Sequence, residues 1–380
     1  LHSDHPGKGP RRLTWLIWIC LVPVLQACSP RDGLEAALVL ADIAARDAPS
    51  ILKDQTALPV RKSIAYAVQG RLHHGDIYRS AGETRAGIVL VPGVHPAGKD
   101  EPRLVAMANT LARAGFSVLV PDIPSLRKLK IRITQVQEIA DALAYLISRQ
   151  DLAPHGRAGI FAFSYAVGPS ILAAAREGSR HQVRFIFGVG GYYDLHAVAT
   201  FFTTGYFKVD GIWHYIKPNH YGMWVFALSN ADFLTSRKDA ETIRAIAWRR
   251  LKHPEKGVED LVRRLGPDGK ALYTFLTNQD REKAAGLFAQ LPEPIRAEVE
   301  ALNLRTKDLS RITARVILVH GRNDSIIPYS ESVALAAALP QDQVELYIVD
   351  DLAHVDLGRP GLMDTIRLWQ AVSSLLAMRK

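Results

Sequence analysis

The chain has 380 residues, two of them cysteine, and carries a net charge of +9 from 47 basic and 38 acidic side chains. With 48% apolar and 22% charged residues, the composition is that of a folded globular protein and excludes a disordered, collagen-like or multi-span membrane chain. Two cysteines exclude a disulfide framework and a Cys-rich zinc fold, and the length suits one large α/β domain with an insertion, or two ordinary domains.

Residues 1–12 are polar and basic, with Lys8, Arg11 and Arg12. An apolar run from Leu13 to Leu25 follows, interrupted by Pro23. It is short for a membrane span, which needs about 20 apolar residues. A basic stretch, a short apolar core and a small residue before a cleavage point are the parts of a secretory signal. The segment Leu25-Gln26-Ala27-Cys28 resembles the lipobox of bacterial lipoproteins. That resemblance implies cleavage before Cys28, lipidation of its thiol, and an exported chain tethered by lipid to a membrane of the bacterial cell envelope. Residues 1–27 are then a signal peptide that takes Cys20 with it, and no thiol remains for a disulfide or for catalysis. An ordinary signal peptide or an uncleaved anchor, with Cys28 incidental, is the alternative.

Residues 28–60 read as a connector with one helix over Leu34 to Ala45, where Leu34, Ala37, Leu38, Ala41 and Ala44 recur at helical spacing. Ile64–Val68 and Gly75–Tyr78 read as two strands around a turn near Gly70. From Ala86 short apolar strands alternate with amphipathic helices. The strands are 87–91, 116–120, 159–163, 183–187, 316–319 and 344–349. The helical stripes are Leu104–Leu111, Val136–Leu146, Tyr165–Ala175, Ser332–Leu339 and Leu362–Leu376. This alternation predicts an α/β fold, with a mostly parallel sheet covered by helices on both faces. It lapses over 196–311, where aromatic residues crowd 196–230 and charged helical segments follow. This stretch reads as a helical cap inserted into a core of residues 60–195 and 312–380. Most of its aromatics serve to glue the cap down, and a minority line a pocket.

Ligands of open α/β sheets bind beyond the carboxyl ends of the strands. There the chain offers Ser164 after one strand, Asp324 within His320-Gly321-Arg322-Asn323-Asp324 after another, and His354 within Leu352-Ala353-His354-Val355-Asp356 after a third. In this order and placement the sequence resembles the α/β-hydrolase family, over about residues 60–195 and 312–380. Its opening looks most like the dienelactone-hydrolase-like and peptidase-like branches. The resemblance implies Ser164 as nucleophile, Asp324 as acid and His354 as base, because a serine hydroxyl needs a base to take its proton and the base needs an acid to hold its tautomer. It also implies an oxyanion hole from the backbone N–H groups of Tyr165, which follows the nucleophile, and of Val94, in the loop Pro92-Gly93-Val94-His95. The family's elbow is Gly-x-Ser-x-Gly, whereas this chain has Ala162-Phe163-Ser164-Tyr165-Ala166.

The expected function is that of a membrane-anchored, exported serine hydrolase acting on a small-molecule ester or related acyl bond, with no cofactor. The paired alanines motivate an alternative, a catalytically inactive lipoprotein of this fold with a binding or assembly role. Asp194, also after a strand, is the rival acid, while Asp122, Asp350 and Asp351 read as surface or turn carboxylates. His95 reads as shaping its loop. His73, His74, His214 and His220 are too isolated for a metal site. Basic residues are scattered among acids, so no nucleic-acid partner is expected. Sequence alone does not reach the oligomeric state.

Overall fold

The computed structural model describes residues 30–350, 352–354, 356–357 and 360–380. The apolar run, Cys20 and Cys28 lie outside the described residues, as does Asp351. No helix among the described residues is long and apolar enough to cross a membrane.

The described residues open with helices α1 (Pro30–Ala45) and α2 (Ile51–Gln55), then strands β1 (Val60–Val68), β2 (Arg71–Arg79) and β3 (Ala86–Val91). Next come α3 (Pro102–Arg113), β4 (Phe116–Pro121), α4 (Pro124–Arg127), α5 (Thr134–Ile147), β5 (Ala158–Phe163), α6 (Val167–Ala175) and β6 (Val183–Val189). The stretch after β6 holds α7 (Leu195–Thr204), a hairpin of β7 (Tyr206–Val209) and β8 (Ile212–Tyr215), and α8 (His220–Asn230). It continues with α9 (Arg237–Lys252), α10 (Glu259–Val262), α11 (Pro267–Leu276), α12 (Arg281–Ala289) and α13 (Glu293–Leu302). The sheet resumes with β9 (Arg315–Gly321), α14 (Ser330–Ala338) and β10 (Val344–Val349), and the chain ends in the short pair β11 (Leu352–Ala353) and β12 (Asp356–Leu357) followed by α15 (Leu362–Ala377).

Eight strands form one sheet in the order β1-β2-β4-β3-β5-β6-β9-β10. The pairs β1–β2 and β2–β4 are antiparallel and all the others parallel. This is the mostly parallel sheet that the alternation of elements predicts, in the arrangement that the resemblance to the α/β-hydrolase family implies. Strands β3 to β6 and β9 are buried along nearly their whole length, which is why they read as continuous apolar runs rather than alternating ones. Two cores result. One packs α1, α3 and α15 against one face of the sheet, through Leu104, Leu111, Phe116 and Leu375. The other packs α5, α6 and α14 against the opposite face and runs on into the helices after β6.

Helix α1 begins four residues before the predicted Leu34, with proline at its first position, where the missing N–H has no intrahelical partner to lose. It docks on the end of the chain: Trp369 donates its ring N–H to the Gly33 carbonyl at 2.8 Å, and Arg379 reaches Glu35 at 2.5 Å.

The aromatic stretch resolves into two groups. Phe202, Phe226 and Phe275 stack edge-on or tilted at 5.6–6.4 Å and knit α7, α8 and α11 together. The hairpin, which helical expectations for this stretch did not contain, turns on Asp210-Gly211, both at positive φ as a two-residue hairpin loop requires. Arg281 lies over its Tyr206 and Trp213 rings at 5.0 and 4.9 Å.

Candidate active site

The chain crosses from one face of the sheet to the other between β3 and β5. This leaves a crevice at the carboxyl ends of these strands, where open α/β sheets take their ligands. Ser164 stands there, immediately after β5 and before α6, with φ +54°. A left-handed conformation is strained for a residue with a side chain and persists where the surroundings fix it. Here a buried strand on one side and a buried helix on the other hold the turn and push the hydroxyl out of the sheet edge.

His354 occupies the tip between β11 and β12, also at positive φ (+57°). Its Nε2 lies 2.7 Å from Ser164 Oγ, and its Nδ1 lies 2.7 Å from Asp324 Oδ2. Asp324 is fully buried. Burial pushes its carboxyl up, but the electrostatic attraction of the His354 ring and hydrogen bonds from His320 and His354 outweigh burial and hold it well below the usual carboxylate range. The other oxygen, Oδ1, accepts the N–H groups of Ile326 and Ile327 at 2.8 and 3.1 Å. An ionised Asp324 accepts only, so Nδ1 of His354 carries the proton and Nε2 is free to accept from Ser164.

His320 was not singled out from the sequence, although it heads the run that contains Asp324. Fully buried, it directs Nε2 at both the Ile327 carbonyl (3.0 Å) and Asp324 Oδ2 (3.2 Å), while Nδ1 meets Ser332 Oγ at 2.7 Å. With acceptors on both sides of Nε2, the ring donates from Nε2 and accepts the Ser332 hydroxyl at Nδ1. It thus supports the acid from behind, as His354 does from the front.

The rival acids are engaged elsewhere. Asp194 caps α7 by accepting the His196 N–H at 3.0 Å and pairs with Arg305 at 2.8 Å. Asp122 pairs with Arg127 at 3.0 Å, and Asp350 with Arg322 at 2.7 Å. His95 Nδ1 accepts the Ala97 N–H at 3.2 Å within its own loop. Among the described residues there is no cluster of His, Cys, Asp or Glu fit to hold a metal ion.

Ala162 and Ala166 are both buried beside Ser164, each with its one methyl accommodated. Glycine stands next door instead. Gly188 of β6 is the register partner of Ala162, and Gly168 in α6 lies under the Tyr192 ring, where a Cβ would come within 2.2 Å of that ring. The Tyr165 ring stacks on Tyr192 at 6.0 Å, and its hydroxyl donates to Gln135 at 2.8 Å. Tyr165 opens a helical turn, so its N–H belongs to the amides that have no intrahelical acceptor. Val94 borders the same space, and among the described residues its N–H meets no acceptor.

Ser164, His354, Val94 and Tyr165 line one cavity of about 590 Å³. Its roof is α8, with Tyr221, Val225 and Phe226, and its far wall is α7 and α13, with Val198, Phe202 and Val299. On the other side the end of α1 and the start of α3 contribute Ile43, Leu104 and Met107. A largely apolar chamber with a few convergent polar groups is the usual form of a small-molecule site.

One further buried acid lies behind the site. Glu331 accepts the N–H groups of Tyr193 and Asp194 at 3.0 and 2.7 Å, fixing the loop after β6. Burial pushes its carboxyl up to about 7 although these two hydrogen bonds oppose the shift. The folded form therefore holds this proton more tightly than the unfolded chain, whose carboxyl titrates near 4.5. The resulting stability is full below that value and is lost as pH rises through about 7. Glutamine at this position keeps an acceptor for both amides and removes the titration. Between about pH 5 and pH 8 the wild-type Tm is expected to fall by on the order of 5 °C more than that of Glu331→Gln in calorimetry. Parallel pH curves would contradict this.

No protein-family model matches the sequence, and no curated protein matches it. Among solved structures the chain is similar to 2,6-dihydroxy-pseudo-oxynicotine hydrolase, at 15% identity and TM-score 0.47 over 83% of this chain and 68% of that one. It is similar to a dienelactone hydrolase of Anabaena variabilis, at 15% identity and TM-score 0.44 over 84% and 97%. It is also similar to a puromycin-hydrolyzing peptidase of Mycobacterium tuberculosis, at 16% identity and TM-score 0.48 over 88% of this chain and 40% of that one.

Proposed function

We propose that this protein is an exported serine hydrolase, anchored to a membrane through lipid on Cys28, that cleaves an ester or related acyl bond through an acyl-enzyme. The observation that carries the reading is the unbroken chain of short hydrogen bonds from Ser164 through His354 to a buried, ionised Asp324 on the floor of an apolar cavity. The anchor and export rest on the sequence around Cys28.

In the first half-reaction Ser164 Oγ attacks the substrate carbonyl while His354 Nε2 takes its proton. Asp324 stabilises the imidazolium that forms. The carbonyl oxygen becomes an alkoxide held by the N–H groups of Val94 and Tyr165. The tetrahedral adduct collapses as the His354 proton passes to the departing alcohol, leaving the acyl group on Ser164. Water then attacks that ester, His354 taking one proton and returning it to Ser164 as the acid departs. No cofactor takes part, and the net change is ester plus water to acid plus alcohol.

A series of p-nitrophenyl esters of increasing acyl length tests this. The wild type is expected to release p-nitrophenol with a peak at the chain length that fills the cavity, and Ser164→Ala to lose at least about 10³-fold in kcat. A folded wild type that hydrolyses none of them would favour the binding role instead.

A further inference from the structure

The loop that carries Val94 is short of tethers. Its local hydrogen bonds, Gly98 N–H to His95 O at 2.9 Å and Ala97 N–H to His95 Nδ1 at 3.2 Å, lie beyond Val94. Among the described residues the one hydrogen bond that reaches Val94 comes from the other end of the site, where Tyr221 donates its hydroxyl to the Val94 carbonyl at 2.9 Å. Tyr221 belongs to the first turn of α8, and that turn grips a second loop as well. The Asn219 N–H donates to the Ser325 carbonyl at 2.7 Å, and the Asn219 side chain caps the helix by accepting the Tyr221 N–H at 2.9 Å. Gly222 passes close enough to Ile326 that a Cβ there would touch it at 3.6 Å. Ser325 and Ile326 directly follow Asp324, and the Ile326 N–H is one of the two that hold the Asp324 carboxylate. One helical turn thus ties the loop of the oxyanion donor to the loop of the acid, across a cavity into which Ser164 projects.

An oxyanion donor works only if it is aimed before the reaction begins, and a loop free to rotate by even an ångström loses much of that advantage. We propose that Tyr221 is a positioning residue for transition-state stabilisation: by anchoring the Val94 carbonyl it holds the Val94 N–H over Ser164. Helix α8 is therefore part of the catalytic apparatus as well as a roof. The inference rests on the reading of Ser164 as nucleophile.

Tyr221→Phe in the full chain removes the hydroxyl and keeps the ring that packs in the cavity wall. The expected result is a fall in kcat of about tenfold or more on a p-nitrophenyl ester, with KM within about threefold. Affinity for an arylboronic acid, which forms a tetrahedral anionic adduct on serine, is expected to weaken by a similar factor. A merely structural role would change Tm or KM and leave kcat and boronate affinity together unmoved. Wild-type kcat and boronate affinity in the variant would overturn this inference while leaving Ser164 as the nucleophile. A wild type that neither turns over the ester nor binds the boronate would overturn both.

Discussion

Asp324→Asn is expected to lower kcat for ester hydrolysis by about 10³–10⁴-fold while leaving KM within a few-fold. The cause is the choice of tautomer. Asp324 Oδ2 is 2.7 Å from His354 Nδ1 and accepts a hydrogen bond from its N–H, which leaves Nε2 as the acceptor 2.7 Å from Ser164. The backbone N–H groups of Ile326 and Ile327 point at Oδ1, so an asparagine would place its oxygen there and its NH₂ at the Oδ2 position. That amide nitrogen donates to Nδ1, and the proton of His354 moves to Nε2, where it faces the serine and blocks deprotonation. The same NH₂ would also meet the Nε2–H of His320, donor against donor. Some loss of stability is therefore expected beside the loss of rate. Steady-state kinetics read the first effect and thermal melting the second. Near-wild-type turnover would mean that the acid is elsewhere, and the Arg305 ion pair of Asp194 would then have to break.

Gly321→Ala is expected to be damaging through packing alone, though less so than the loss of the acid. Gly321 ends β9, and a Cβ there would lie 1.7 Å from the Leu352 carbonyl oxygen, an overlap that only movement of the backbone can relieve. Leu352 begins the short strand pair whose tip is His354. Moving this segment outward by more than an ångström lengthens both hydrogen bonds of the imidazole. A misplacement of about 1 Å at a reacting group costs roughly 10²-fold in rate, and overpacking of this kind costs about 1–3 kcal/mol in stability. The expected variant is folded, lowered in Tm and about 10²-fold slower. Unchanged kcat would show that the loop of His354 absorbs the shift without losing register.

The ends of the strands were the most legible part of the chain. Buried parallel strands read as apolar runs, and Ser164, Asp324 and His354 each stand just past one of them, so their meeting could be expected from topology before any distance was known. The register of the contact with His320 could not, because it depends on a turn in which Asp324 folds back under its own strand and Ile327 follows it. Tyr221 was one aromatic among many in its stretch, and only the geometry separates it from the phenylalanines that glue the helices together. The hairpin at 206–215 carried its Asp210-Gly211 signal in plain view, but strands of four residues are too short for alternation to outweigh a helical context. The contacts of α1 with α15 and with Arg379 just beyond it join residues 336 and 344 positions apart, for which no local pattern exists.

The central claim is that Ser164 is an activated nucleophile. The most direct measurement is the mass of the intact protein after reaction with an alkyl fluorophosphonate, followed by peptide mapping. The expected result is one phosphonyl adduct per chain, located on the peptide containing Ser164, absent from Ser164→Ala and formed far more slowly by Asp324→Asn. A folded wild type that gains no mass, or an adduct that persists in Ser164→Ala, would contradict the account.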